Sequence, residues 1–246
     1  MIPSEPLRAV LAAAPAAVLD AWAVLMPTDC SGCGAADRAL CSGCAAALRP
    51  TPALCTRDDL TIWSALEYRD VAARVLVAYK DGGRTDAAPA LAGALRAAVG
   101  AALAAAPGSA APGGTGWPPA AVEGVLLVAV PSSRRAWRAR GFTPVELLLR
   151  RAALRPVRLL RPGGRVADQV GLGRQERLDN RTGALVATRR LAGHRVLLVD
   201  DIVTTGATLL DARRAIRLAG GEVIGAATVA ETRRRHPVTE SSPKTD

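Results

Sequence analysis

Residues 196–209, VLLVDDIVTTGATL, set two adjacent carboxylates, Asp200 and Asp201, at the end of an apolar run. A turn of small and hydroxyl-bearing residues follows: Thr204, Thr205, Gly206, Ala207 and Thr208. An apolar-periodic segment then begins at Leu209. The order predicts a strand, a loop the size of a phosphate, and a helix N-terminus. Amides at a helix start lack intrahelical acceptors, and the dipole adds roughly half a positive charge there, so a phosphate monoester fits. The threonine hydroxyls add donors, and Gly206 lets the backbone come close to the anion. Ionised carboxylates only accept hydrogen bonds, so Asp200 and Asp201 need a donor such as the vicinal hydroxyls of a ribose bearing that phosphate. Helix capping would explain one acid, but it does not require two acids at a buried strand end.

The five cysteines are confined to residues 30–55. Cys30-Ser-Gly-Cys33 and Cys41-Ser-Gly-Cys44 form two Cys-x-x-Cys knuckles with seven residues between them. Four such sulfurs at about 2.3 Å complete a closed tetrahedral Zn²⁺ site. The segment has few large apolar residues, and structural zinc contributes roughly 10–16 kcal/mol of binding energy to folds of this kind. Disulfides are the alternative, and a reducing compartment disfavours them. A redox Cys-x-x-Cys would stand alone in a βαβ unit. Cys55 falls outside the pattern and reads as a spare buried thiol.

Around these motifs the chain must supply a scaffold. Its 246 residues are 50% hydrophobic and only 3% aromatic, so the core has to be built from Ala, Leu and Val. The net charge is +10, and Lys80 and Lys244 are the only lysines, so the positive charge is arginine. Arginine favours bidentate contact with phosphates, although GC-rich coding would inflate Arg, Ala and Gly together. Strands are expected at 60–68, 124–130, 157–160, 184–188 and 222–230. Helices are expected at 70–80, 86–105, 144–154 and 207–219. Alternation of this kind predicts an α/β fold with a parallel sheet and helices on both faces. Ligands bind such sheets outside the carboxyl ends of the strands, where Asp200 and Asp201 lie. We expect three parts: an N-terminal helix and four-cysteine zinc module over 1–57, the α/β domain over 58–232, and a disordered tail over 233–246. Residues 7–27 read as an amphipathic helix, because Pro15 and Asp20 interrupt the apolar stretch that a signal peptide would need. No membrane span and a cytoplasmic location are expected. His194 and His236 read as solvated or structural.

Two further segments carry chemistry. Arg134, Arg135, Arg138 and Arg140 cluster around Trp137 and Phe142 after a buried strand, and Gln169, Leu172, Arg177 and Asn180 are spaced through a polar loop. With the knuckles, Tyr79-Lys80, Arg140-Gly141-Phe142 and the Asp-Asp-Ile-Val-Thr-Thr-Gly run, the order over about residues 20–232 resembles the ComF family of competence-associated proteins. Their bodies look like type I phosphoribosyltransferases. Thr143-Pro144 stands where that family usually has Asn-Gln, Ser132-Ser133 where it has Leu-His, and Leu185 where it has Phe.

The resemblance implies a phosphoribosyl-diphosphate (PRPP) site on Asp200, Asp201 and the Thr204–Thr208 loop, with Mg²⁺ accompanying PRPP and zinc in the module. Lys80, Arg134, Arg135, Arg138 and Arg140 would hold diphosphate or DNA phosphates, and the loop bearing Gln169, Arg177 and Asn180 would close over the site. Partners implied are PRPP or a ribose 5-phosphate-type ligand, single-stranded DNA, the DNA-uptake machinery and a second copy in a homodimer. Three functions follow from this set. An enzyme would transfer the ribosyl group to a nitrogen acceptor, Asp200 and Asp201 being the catalytic pair. A DNA-handling protein would grip phosphates with arginine and stack bases on Trp137 and Phe142. A regulator would sense PRPP without catalysis.

Overall fold

The computed structural model describes residues 28–36, 38–106, 124–132, 140–163 and 183–232. The expected N-terminal helix, Arg134, Arg135, Trp137, Arg138, Gln169, Leu172, Arg177, Asn180, His236 and the tail lie outside the described residues.

Helix α1 (Ser42–Ala47) follows the second knuckle. Strand β1 (Ala53–Arg57) and strand β2 (Leu60–Glu67) form a hairpin. Its two-residue turn holds Asp58 and Asp59 at positive φ, the conformation such turns need and short acidic residues tolerate. Helices α2 (Asp70–Lys80) and α3 (Ala88–Ala104) come next. Strand β3 (Val125–Ala129), helix α4 (Pro144–Arg151), and the short strands β4 (Leu160–Pro162) and β5 (Leu185–Ala187) follow. Strand β6 (Arg195–Val203), helix α5 (Ala207–Leu218) and strand β7 (Glu222–Glu231) complete the order.

The main sheet runs β1-β2-β7-β6-β3, with β4 and β5 as a separate antiparallel pair. Strands β2, β7, β6 and β3 are mutually parallel, as the alternation predicts. Strand β1 is an addition: ALCTR has no apolar alternation, and it forms an antiparallel edge within the stretch that the sequence assigns to the zinc module. The strand expected at 157–160 forms further along, at Leu160–Pro162.

Strand β6 shows how the sheet is buried. Val196 and Leu198 face one side, toward α5 and the β4–β5 pair. Leu197 and Val199 face the other, toward α2, α3 and α4. A strand covered on both faces reads as a continuous apolar run, which is why VLLV has no alternation. Alanines 88, 92, 94, 98 and 102 of α3 are all buried, and their small volume brings that helix close to the sheet. One helical stretch among the described residues, Thr85–Ala104, is long and apolar enough to cross a membrane by length and composition, and it is instead the central core helix of this fold.

Candidate functional site

Strand β3 pairs with β6 only as far as Ala129 opposite Val199, with Val130 N–H donating to the Val199 carbonyl beyond it. Pro131 has no N–H to continue the ladder, so the chain turns away and leaves the end of β6 open on that side. The sequence places the acids at the strand end, and pairing with β7 carries β6 on to Val203, so Asp200 and Asp201 stand within the strand. A cleft of about 610 Å³ opens there, lined by Asp200, Asp201, Lys80, Arg140, Thr204 and Thr208 among others.

Neighbouring strand residues point to opposite faces, and that separates the two acids. Asp201 shares the side of Leu197 and Val199, where α2 packs, and Lys80 at the end of α2 places its Nζ 3.0 Å from both carboxylate oxygens of Asp201. Asp200 lies on the α5 side and takes the Asp201 backbone N–H on its own Oδ1 at 2.8 Å. Burial, then the neighbouring Asp201 charge, pushes Asp200 up to about 8, outweighing that N–H and the Lys80 cation. Asp200 therefore keeps its proton at neutral pH until a donor-rich or cationic ligand arrives.

The loop after β6 has the geometry an anion needs. Gly206 caps α5 at φ +83°, and no side chain caps the helix start. Thr205 Oγ1 accepts from the Ala207 N–H at 3.3 Å, and Thr204, Thr205 and Thr208 are exposed. Beyond Ala207, the first-turn amides of α5 have no side-chain acceptor among the described residues.

Arg140 lines the same cleft and donates to Asp81 at 2.8 Å, a partner itself 62% exposed. Exposed pairs contribute little, so an incoming phosphate can displace Asp81. Phe142 is partly buried, edge-on to Tyr79 with centroids 5.7 Å apart, and packs on the α2–α3–α4 side of the core. Tyr79 itself is fully buried and donates to the Pro144 carbonyl at 2.8 Å.

Sequence reasoning missed three contributors. Tyr68 lines the cleft. Asp211, buried in α5, accepts from the Gly183 and Leu185 amides at 2.7 and 2.8 Å and from Arg214 Nε at 2.8 Å, tying β5 to α5. Arg57, on the unexpected strand β1, reaches the loop carbonyl of Thr204 at 3.2 Å. An acid at the fifth helical position and a basic residue on a polar strand carry no local signal of those partners.

The four knuckle sulfurs lie within 4.8 Å of one another, Cys33 and Cys41 being 3.7 Å apart. The edge of a tetrahedron with 2.3 Å metal–sulfur bonds is about 3.8 Å, so the cluster can hold a metal ion. The Cys41 N–H donates to Cys30 Sγ and the Cys44 N–H to Cys41 Sγ, as thiolate knuckles require. A Cβ on Gly32 would stand 2.6 Å from Cys44 Sγ, so only glycine closes the first knuckle. Burial pushes the Cys44 thiol up to about 12, and Cys30 falls to about 6 because amide donors from Cys41, Cys33 and Gly32 overcome its own burial. A divalent cation removes that imbalance by accepting all four as thiolates. Cys55 lies outside the cluster and is half-buried on β1, not fully buried as expected. Its thiol is pushed up to about 11 by burial, then by Glu231. His194 sits in an exposed turn with Nδ1 3.1 Å from the Ala192 carbonyl, in keeping with a structural role.

Residues 162–245 match the family described as the phosphoribosyl transferase domain. Orotate phosphoribosyltransferase of Pyrobaculum aerophilum is 41% identical over 63 residues, covering 26% of this chain and 33% of that protein. The enzyme of the same name from Mycobacterium leprae is 49% identical over 47 residues, covering 19% and 26%. This chain spans about a quarter to a third of the length of these relatives. An adenine phosphoribosyltransferase structure from Rhodothermus marinus aligns at 24% identity over 45% of this chain and 59% of that one, with a TM-score of 0.27. The strand and loop bearing Asp200, Asp201 and Thr204–Thr208 fall within the residues that match the phosphoribosyl transferase domain. A four-cysteine cluster able to hold zinc precedes them.

Proposed function

We propose that the cleft binds PRPP or a related ribose 5-phosphate, with Mg²⁺ accompanying the diphosphate. The observation that carries this reading is the open end of β6, where two acids share a cleft with the loop that starts α5. The 5-phosphate would sit on the Thr204–Thr208 amides and hydroxyls, and the ribose hydroxyls would donate to Asp200 and Asp201. Lys80 and Arg140 would then exchange their carboxylate partners for diphosphate oxygens. Magnesium, when bound with the ligand, supplies charge neutralisation at that diphosphate. In a transferase reaction these groups position the anomeric carbon and stabilise the charge that develops as diphosphate departs.

We further propose a ComF-type role in DNA uptake or the handling of single-stranded DNA. The combination of a four-cysteine module, an arginine-rich segment and this domain in one chain supports it. Phe142 contributes to that role less than the sequence suggests, since its ring already packs on Tyr79. Calorimetric titration tests the primary reading. PRPP with Mg²⁺ should bind the wild type, and the double change Asp200→Asn, Asp201→Asn should weaken it by several kcal/mol, each charge-assisted bond being worth about 1.5–3 kcal/mol. Absence of PRPP binding by the wild type would overturn it.

A further inference from the structure

The phosphate loop is held by a residue from outside the matched domain. Arg57, the last residue of β1, donates from Nε to the Thr204 carbonyl at 3.2 Å. The same guanidinium donates from Nη1 to the Thr56 carbonyl at 3.0 Å and from Nη2 to Glu231 Oε1 at 2.9 Å. Its side chain is 12% exposed and that of Glu231 15%. The stem lies flat on the loop: a Cβ on Gly206 would stand 2.8 Å from Arg57 Cγ and 2.9 Å from Arg57 Cβ. Gly206 is thus glycine for two reasons, its φ of +83° and the arginine packed against it.

We propose that Arg57 is the positioning residue of the sugar-phosphate loop, a clamp that aims the loop amides at the 5-phosphate; the inference rests on the PRPP reading above. A loop that cradles an anion must turn its carbonyl dipoles away from it, and the Thr204 carbonyl is turned outward because it has a cationic donor to accept from. Glu231, at the end of β7, fixes the guanidinium plane so that a second donor meets Thr204. Lysine cannot reproduce this, because a single ammonium lacks the rigid fork that spans two acceptors. The β1–β2 hairpin, directly after the Cys module, therefore supplies part of a site whose acidic pair and phosphate loop lie in the matched residues.

The full chain should be compared as wild type, Arg57→Met and Arg57→Lys, with amide hydrogen exchange over 204–208 and calorimetric titration of ribose 5-phosphate. Loss of the clamp should speed exchange of the loop amides about tenfold and weaken ribose 5-phosphate about tenfold or more, the scale of one lost charge-assisted bond. Arg57→Lys keeps the stem over Gly206, so it remains informative if Arg57→Met fails to fold. It should lose ribose 5-phosphate affinity while melting within a few degrees of wild type. Unchanged exchange and unchanged affinity in a folded Arg57→Lys would overturn the clamp. A wild type that ignores ribose 5-phosphate would overturn the PRPP reading instead, while the exchange rates of the ligand-free variants would still judge the clamp.

Discussion

Asp200 and Asp201 are neighbours in sequence with different electrostatic surroundings. Asp201 has the Lys80 ammonium, while Asp200 has burial and a like charge, and it titrates near 8 instead of its ordinary 3.8. Between about pH 4 and pH 8 the folded chain holds a proton on Asp200 that the unfolded chain has released, so this group's contribution to stability falls as pH rises. The Asp200→Asn variant should lose that slope and melt higher than wild type at pH 8 in the absence of ligand. Melting curves at pH 5 and pH 8 check this, and equal shifts of both proteins would count against it. A site more stable without its acid has been shaped for binding at the expense of the empty state. The acidic pair and the threonine turn were legible because their chemistry is local. Lys80 was expected at the site, but its hold on Asp201 was not, because that contact spans 121 residues and depends on strand parity.

Two junctions between elements decide whether the site keeps its shape. The first joins the Cys module to α2: Arg74 Nε donates to the Gly32 carbonyl, and Val71 Cγ1 lies 3.1 Å from where a Gly32 Cβ would be. Purified protein should carry one zinc per chain. Gly32→Ala should weaken zinc retention, because its methyl group would collide with Cys44 Sγ. Elemental analysis of wild type and variant after mild chelation measures this, and equal zinc contents would refute the steric argument. The second junction is Asp211. Asp211→Ala would strand the Gly183 and Leu185 amides and should cost about 2–4 kcal/mol by denaturant unfolding, from the ~1–3 kcal/mol penalty per buried unsatisfied group. Helix boundaries were legible from periodicity and from Gly and Pro signals. Strand β1 was not, since ALCTR alternates no apolar face and its place is fixed by the edge of β2.

At the scale of the whole molecule, the alternation of strands and helices disclosed a parallel sheet, but nothing in it disclosed the strand order. That order places β7, from the C-terminal part of the described chain, between β2 and β6. Ile62 pairs with Ala226 and Leu197 with Gly225, so the central ladder joins residues far apart along the chain. Such a topology has a consequence for how the protein is made. As the ribosome releases the chain, the Cys module, the β1–β2 hairpin and α3 emerge long before the strand that links them to β6. Until residues 222–231 appear, one edge each of β2 and β6 remains unpaired and the apolar face of α3 lacks part of its cover, a state that invites aggregation. Closure over so long a loop is slow compared with local helix formation. Refolding from denaturant should therefore show helical signal well before the 204–208 loop becomes protected, and a chain cut before Glu222 should gain helix without ever gaining that protection. Stopped-flow circular dichroism with pulsed hydrogen exchange would follow both events. Because β7 comes late in the described chain, the ion pair that joins Arg57 to Glu231 can form only after most of the fold has been made.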